Sequence, residues 1–191
     1  CKDATITVPV GAAPIDAKDD TYTAVNGATG NTNVGNVVTG TGTGSVADTL
    51  NGAPTTLTNT ALSVVTPAAP VAGAPVGAPV PVLDTATGTL VVPPGTPAGV
   101  YNITYKLCEK LNPTNCDTAV AKVTVDPSPI VAAPDSYTGI NGATGNPNIG
   151  SALVNDAVNG ATATVGSTGN ATLAINTPAA SIGGAPVPVL D

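Results

Sequence analysis

Hydrophobic and polar positions alternate with period two in the most regular part of the chain. In Val100–Leu107, Tyr101, Ile103, Tyr105 and Leu107 fall on one face, and Asn102, Thr104 and Lys106 fall on the other. That pattern predicts a half-buried strand. Ala119–Val125 and Ala4–Val10 also predict strands, with Ala119, Ala121, Val123 and Val125 toward a core in the first. Shorter runs at 60–66, 87–92, 161–165 and 171–176 are rich in Thr, Val, Leu and Ile and predict further strands. Asn-Gly pairs at 26–27, 51–52, 141–142 and 159–160 signal turns. No stretch carries a helical period.

An uncharged stretch from Thr49 to Leu83 imitates a membrane span. Pro67, Pro70, Pro75, Pro79 and Pro81 break it, since each proline inside a helix costs roughly 3 kcal/mol. The stretch predicts an extended edge strand or a polyproline-like loop.

The chain repeats itself. AKDDTYTAVNGATGNTNVGN at 17–36 returns as AAPDSYTGINGATGNPNIGS at 132–151, an offset of 115. Ala78–Asp84 returns as Ala185–Asp191 at offset 107, so the intervening difference is an insertion, mainly the run at 39–45. Cys1, Ala4, Val8 and Val10 match Cys116, Ala119, Val123 and Val125 at offset 115. Residues 1–12 are therefore expected to be the terminal strand of a preceding repeat. Residues 13–126 are expected to be a complete repeat, and 127–191 the first part of a following one. A piece of a longer tandem array is the expectation. Several short strands per repeat of about 110 residues predict an all-β fold of tandem Ig-like β-sandwiches, the last incomplete. A solenoid would have much shorter repeats.

Cys108 and Cys116 flank a seven-residue turn between two predicted strands. By parity both point away from the core, so the thiols meet across the hairpin and a disulfide is expected. Closing so short a loop is worth roughly 2.5 kcal/mol in the chain-entropy model. Two reduced thiols would suit a cytosolic protein and fit this composition poorly. Cys1 has two readings, an acylated lipoprotein terminus or the second cysteine of an earlier hairpin. Its register with Cys116 favours the second.

Composition narrows the chemistry. The 191 residues include no His, Trp, Met or Phe and only 4 aromatics, all Tyr. Without His, Ser-His-Asp and Cys-His catalysis and His-based metal sites are excluded. All 5 cationic side chains are Lys, and the net charge is −7, which argues against nucleic-acid binding. Charged residues are only 9%, too few for charge repulsion to hold the chain open.

VLDTATGTLVVPPGTPAGVYNITYKLCEKLNPTNCDTAVAKVTV at 82–125 resembles the tandem Ig-like repeats of very large bacterial surface and secreted proteins, of adhesin-type or fibre-forming kinds. Asp84, Thr87 and Gly88 match a D-x-x-T-G turn; Pro94, Gly95, Thr96, Gly99 and Tyr101 match P-G-T-x-x-G-x-Y. Cys108, Glu109, Asn112, Pro113, Asn115, Cys116 and Asp117 match the cysteine hairpin. The resemblance implies an extracellular, cell-surface role and carries over no catalytic residues.

Other candidate sites are sparse. Asp16, Asp19 and Asp20 cluster near a repeat boundary and are the candidate calcium ligands. The second repeat keeps only Asp135, with Val131 and Pro134 at the other two positions, which weakens that reading. Glycosidase chemistry needs two acids in a cleft, and the chain has a single Glu. The tyrosines are expected in the core. Lys106 and Lys122, considered for an isopeptide crosslink, point outward by parity. The expected function is structural, a segment of an extracellular bacterial filament or surface stalk that self-associates with copies or adjacent repeats. A ligand-binding adhesin module for carbohydrate or a host protein, with the 39–45 loop as its binding loop, is the alternative. A passive spacer in a large secreted enzyme is a third reading. No catalytic residue, cofactor or membrane span is expected.

Overall fold

A computed structural model describes the whole chain, Cys1–Asp191, and every regular element in it is a strand. The chain divides into two units, Cys1–Ser128 and Pro129–Asp191.

The first unit holds ten strands: β1 Ile15–Asp16, β2 Asp20–Asn26, β3 Asn31–Asn36, β4 Thr49–Leu50, β5 Ala53–Pro54, β6 Thr60–Thr66, β7 Val82–Leu83, β8 Thr89–Val92, β9 Gly99–Glu109 and β10 Cys116–Asp126. The alternating segments form the longest two, β9 and β10, of 11 residues each. They pair antiparallel in unbroken register from Cys116↔Cys108 to Val125↔Gly99. β6 pairs antiparallel with the free edge of β9, and β2 lies parallel to β10, giving the order β2-β10-β9-β6. A second sheet, β3-β8-β7, faces it, and a small β1-β4-β5 sheet closes one corner.

The inner residues of the two larger sheets form one cluster. Tyr101, Ile103, Tyr105 and Leu107 of β9 and Ala119, Ala121, Val123 and Val125 of β10 meet Leu83, Leu90 and Val92 of the facing sheet. With so few large side chains in the sequence, three tyrosines supply bulk: Tyr22, Tyr101 and Tyr105 are fully buried. The architecture is the all-β, Ig-like sandwich expected from strand spacing and repeat length.

Local turn chemistry follows the sequence closely. At Asn51-Gly52 both residues have positive φ, 56° and 74°, and join β4 to β5 in a two-residue hairpin. At Asn26-Gly27 the chain does something else. Gly30 N–H donates to Asn26 O at 2.9 Å, and the Asn26 side chain accepts from Ala28 N–H at 2.9 Å, so a wider turn links β2 to β3. In the proline-rich stretch 67–81 there is no strand. Single turns at Val71–Ala74 and Pro75–Ala78 fold it as a loop, with Ala68 buried beneath.

The second unit repeats the small sheet. β11 Ile130–Val131, β12 Ala157–Val158 and β13 Ala161–Thr162 pair in the order β11-β12-β13. Ile130↔Val158 reproduces Ile15↔Leu50, and Asn159-Gly160 makes the same positive-φ hairpin, at 53° and 77°.

Three expectations need correction. Ala4–Val10 has strand composition but is no strand here, and Ile6, Val8 and Val10 are exposed. The run at 161–165 shortens to Ala161–Thr162, and 171–176 is not a strand. Ala161–Thr162 is as short as its counterpart Ala53–Pro54. For the other two, the matching segments of the first unit are strands because β9 pairs with them, and a strand needs a partner for its backbone N–H and C=O groups. The expected 87–92 strand begins at Thr89, because 84–88 is a tight turn.

Candidate functional site

Two places carry unusual chemistry or unusual exposure: a buried carboxylate–tyrosine network in the first unit, and an uncovered face in the second.

The network is built from residues far apart in sequence. β2 opens with Asp20, Asp48 precedes β4, and Tyr105 lies mid-way along β9. Asp20 and Asp48 are both fully buried. The Tyr105 hydroxyl donates to Lys18 O at 2.8 Å and lies 3.2 Å from Asp48 Oδ1 and 3.4 Å from Asp20 Oδ2. Asp48 Oδ1 also accepts Lys18 N–H at 2.7 Å. Asp20 Oδ1 accepts from the Ser45 hydroxyl at 2.6 Å and from Val46 N–H at 3.0 Å. The Tyr22 hydroxyl then donates to Ser45 Oγ at 3.0 Å. No buried side-chain polar atom is left without a partner.

Burial sets the protonation of this cluster. It pushes Asp48 up to about 7, and the nearby Asp20 carboxylate adds to the rise against the opposing Lys18 N–H. Asp20 is raised by burial too, opposed by the Ser45 and Val46 hydrogen bonds. Tyr105 is raised by burial and by the two carboxylates, and burial pushes Tyr22 up to about 12. One tyrosine proton cannot serve a carbonyl and two carboxylates together. A protonated Asp48 would supply the second hydrogen, which agrees with the direction in which burial shifts its pKa.

The loop at 39–45 packs against this network. Gly44 O accepts from Thr21 N–H at 3.1 Å, and Thr41 O accepts from Asn36 N–H at 2.9 Å. Its last residue, Ser45, is the link between Asp20 and Tyr22.

The candidate calcium ligands point to different partners. Asp16 pairs with Lys18, Asp19 Oδ1 accepts Val120 N–H at 2.8 Å, and Asp20 is held as above. No three Asp, Glu or Cys side chains converge as a metal site, and calcium takes six to eight oxygens, so these residues do not fit the ion. Lys106 and Lys122 are exposed.

The structure joins Cys108 and Cys116 at 2.04 Å across the end of the β9–β10 hairpin, and Cys1 is free and exposed. Beside the disulfide, Asn115 Nδ2 donates to Glu109 Oε2 at 2.8 Å and to Ala13 O at 2.7 Å. The Asn112 and Asn115 amides hold the Glu109 carboxyl below the usual range. The D-x-x-T-G motif closes on itself: Asp84 accepts from the Thr87 hydroxyl at 2.8 Å and Ala86 N–H at 2.9 Å, which lowers its pKa. The Tyr101 hydroxyl donates back to Pro97 O at 2.7 Å and fixes the entry into β9.

In the second unit the same residues recur with less cover. Asp156 Oδ1 accepts Ala133 N–H at 2.8 Å, as Asp48 accepts Lys18 N–H. Asn141 and Gly145 reproduce the turn of Asn26 and Gly30, with Gly145 N–H donating to Asn141 O at 2.8 Å. Yet Asp135–Asn141 is not a strand. Tyr137 is 39% exposed where Tyr22 is 1%, Ile140 is 44% where Val25 is 5%, and Leu190 is 41% where Leu83 is 5%.

Sequence reasoning missed Asp48 altogether. The signal was present, since Asp48 and Asp156 both stand three residues before an Asn-Gly pair.

No protein-family model and no curated protein matches the chain. Among solved structures, the human desmocollin-1 ectodomain is similar at 13% identity and a TM-score of 0.41. The match covers 67% of this chain, and the chain spans 22% of that ectodomain. At that level the likeness identifies no function. No helix is long and apolar enough to cross a membrane.

Proposed function

We propose that the chain is a structural segment of an extracellular bacterial filament or surface stalk built from tandem Ig-like modules. Neighbouring segments, from adjacent repeats or other copies of the protein, complete the partial sandwich at 127–191. One observation carries this reading. The second unit reproduces the turns and the small sheet of the first, while the apolar side chains that the first unit buries stand open in it. A repeated module with an open apolar face calls for a neighbour. The disulfide supports an oxidising, extracellular setting. In this reading the chain is not an enzyme.

Cryo-electron microscopy of native material, with reducing and non-reducing gels, tests the proposal. Continuous filaments with a regular axial repeat are expected. Isolated beads on a flexible string, without lateral order, would refute the filament.

A further inference from the structure

Gly27 and Gly142 occupy the same place in the two repeats, yet their surroundings differ. A Cβ on Gly27 would lie 2.1 Å from Thr96 O and 2.7 Å from Val125 Cγ1. Gly27 has no left-handed φ, so close approach by the β8–β9 turn and β10 is what demands glycine there. Gly142 has no left-handed φ either, and nothing lies within 4 Å of its Cβ position. Nothing within Pro129–Asp191 requires a glycine at 142.

Two other gaps have the same shape. Asp135–Asn141 has an unpaired edge where β2 has β10, and Tyr137 and Ile140 have lost the cover that Tyr22 and Val25 receive. Asp156 keeps the backbone contact of Asp48, but no tyrosine hydroxyl approaches it. In the first unit the β9–β10 hairpin, with the turn that leads into it, reaches all of these places, and the 39–45 loop adds to the cover of Tyr22.

We infer that Pro129–Asp191 is an acceptor for a disulfide-closed β-hairpin of the Gly99–Asp126 kind. The hairpin's second strand adds in parallel to Asp135–Asn141, and its first brings a tyrosine hydroxyl to Asp135 and Asp156. This rests on the reading that neighbouring segments complete the module. The register follows from the first unit, where Lys122 stands opposite Thr21 and Val123 opposite Tyr22. The hairpin's Lys122 position therefore faces Ser136, and its Val123 position faces Tyr137. The exposed Cys1–Val10 segment has the β10 alternation but carries no tyrosine and no turn to reach Gly142. It is the poorer occupant.

The test uses the full chain in a Cys1→Ser background. The probe is a synthetic, oxidised peptide of residues 85–126 carrying Lys122→Cys. With the probe's introduced thiol first activated as a pyridyl disulfide, exchange with Ser136→Cys, releasing pyridinethione, should run about tenfold or more faster than with Thr138→Cys, because docking raises the effective concentration at one register only. Gly142→Ala should suppress trapping and leave the melting of the chain alone unchanged. Tyr105→Phe in the probe should weaken trapping about tenfold, by loss of a hydrogen bond to a carboxylate. Absent trapping, equal trapping at the two positions, or trapping indifferent to Gly142→Ala would overturn the inference. So would equally efficient trapping by a peptide of residues 1–10 carrying Thr7→Cys, which would assign the face to a second copy's N-terminal segment. Failed trapping with filaments present overturns this inference alone, whereas trapping without filaments overturns the filament alone.

Discussion

The buried carboxylates make the first unit sensitive to pH in a direction opposite to ordinary acid denaturation. Asp48 has a folded pKa of about 7 against 3.8 in an unfolded chain, because burial disfavours its charged form. Between those values the folded state holds a proton that the unfolded state has released, so stability falls as pH rises. The neutral carboxyl's contribution is complete below about pH 4 and is lost once the pH passes 7. The gap from 3.8 to about 7, at about 1.4 kcal/mol per pH unit, amounts to about 4 kcal/mol. Asp20, raised by burial as well, adds a slope of the same sign. Asp84 and Glu109 are lowered by hydrogen bonds and act the other way, their contribution disappearing as pH falls below the usual carboxylate range. Stability of the first unit should therefore be highest at about pH 4 and fall from there toward pH 7. Urea unfolding followed by near-UV circular dichroism of the buried tyrosines, from pH 4 to 8.5 at constant ionic strength, measures this. Asp48→Asn should remove most of the slope and be the more stable form at pH 8. A flat profile from pH 5 to 8, or a slope that survives Asp48→Asn, would refute the reasoning.

Other consequences follow from single contacts. Replacing Cys108 and Cys116 with Ala should lower stability by roughly 2.5 kcal/mol, read as a shift in the urea midpoint. Gly27→Ala places a methyl group 2.1 Å from Thr96 O and should destabilise the first unit by about 1–3 kcal/mol in the same assay. Ser45→Ala removes the hydroxyl between Asp20 and Tyr22, and should cost about 1–3 kcal/mol by leaving buried groups short of a partner. Millimolar calcium should leave the thermal midpoint unchanged, since Asp16, Asp19 and Asp20 face different partners; a clear rise would reinstate the ion.

The sequence made the β9–β10 hairpin legible because its alternation is strong and its partner is local. Tyr101 and Tyr105 were placed in the core by the same parity, and both are buried. β2 was harder to read. Asp20–Asn26 alternates weakly, and its parallel partner lies about 100 residues further on. Ala4–Val10 erred in the other direction, since composition favours a strand but pairing decides it. The carboxylate network escaped because adjacency grouped Asp20 with Asp16 and Asp19. Its true neighbours are Asp48 and Tyr105, 28 and 85 positions away, and only the folded sheet brings them together.

The parallel pairing of β2 with β10 bears on how the module would respond to tension. The first strand of the large sheet and the last run side by side in the same direction, from Ala121↔Asp20 to Asp126↔Asn26. A pull on the chain entering β2 and leaving β10 draws the two strands past each other along their length. Their cross-strand hydrogen bonds then share the load in shear, where a hairpin pulled from its open end would release them one at a time. Resistance to stretching is thus built into the order of the strands, and it depends on the same edge that the second unit leaves open.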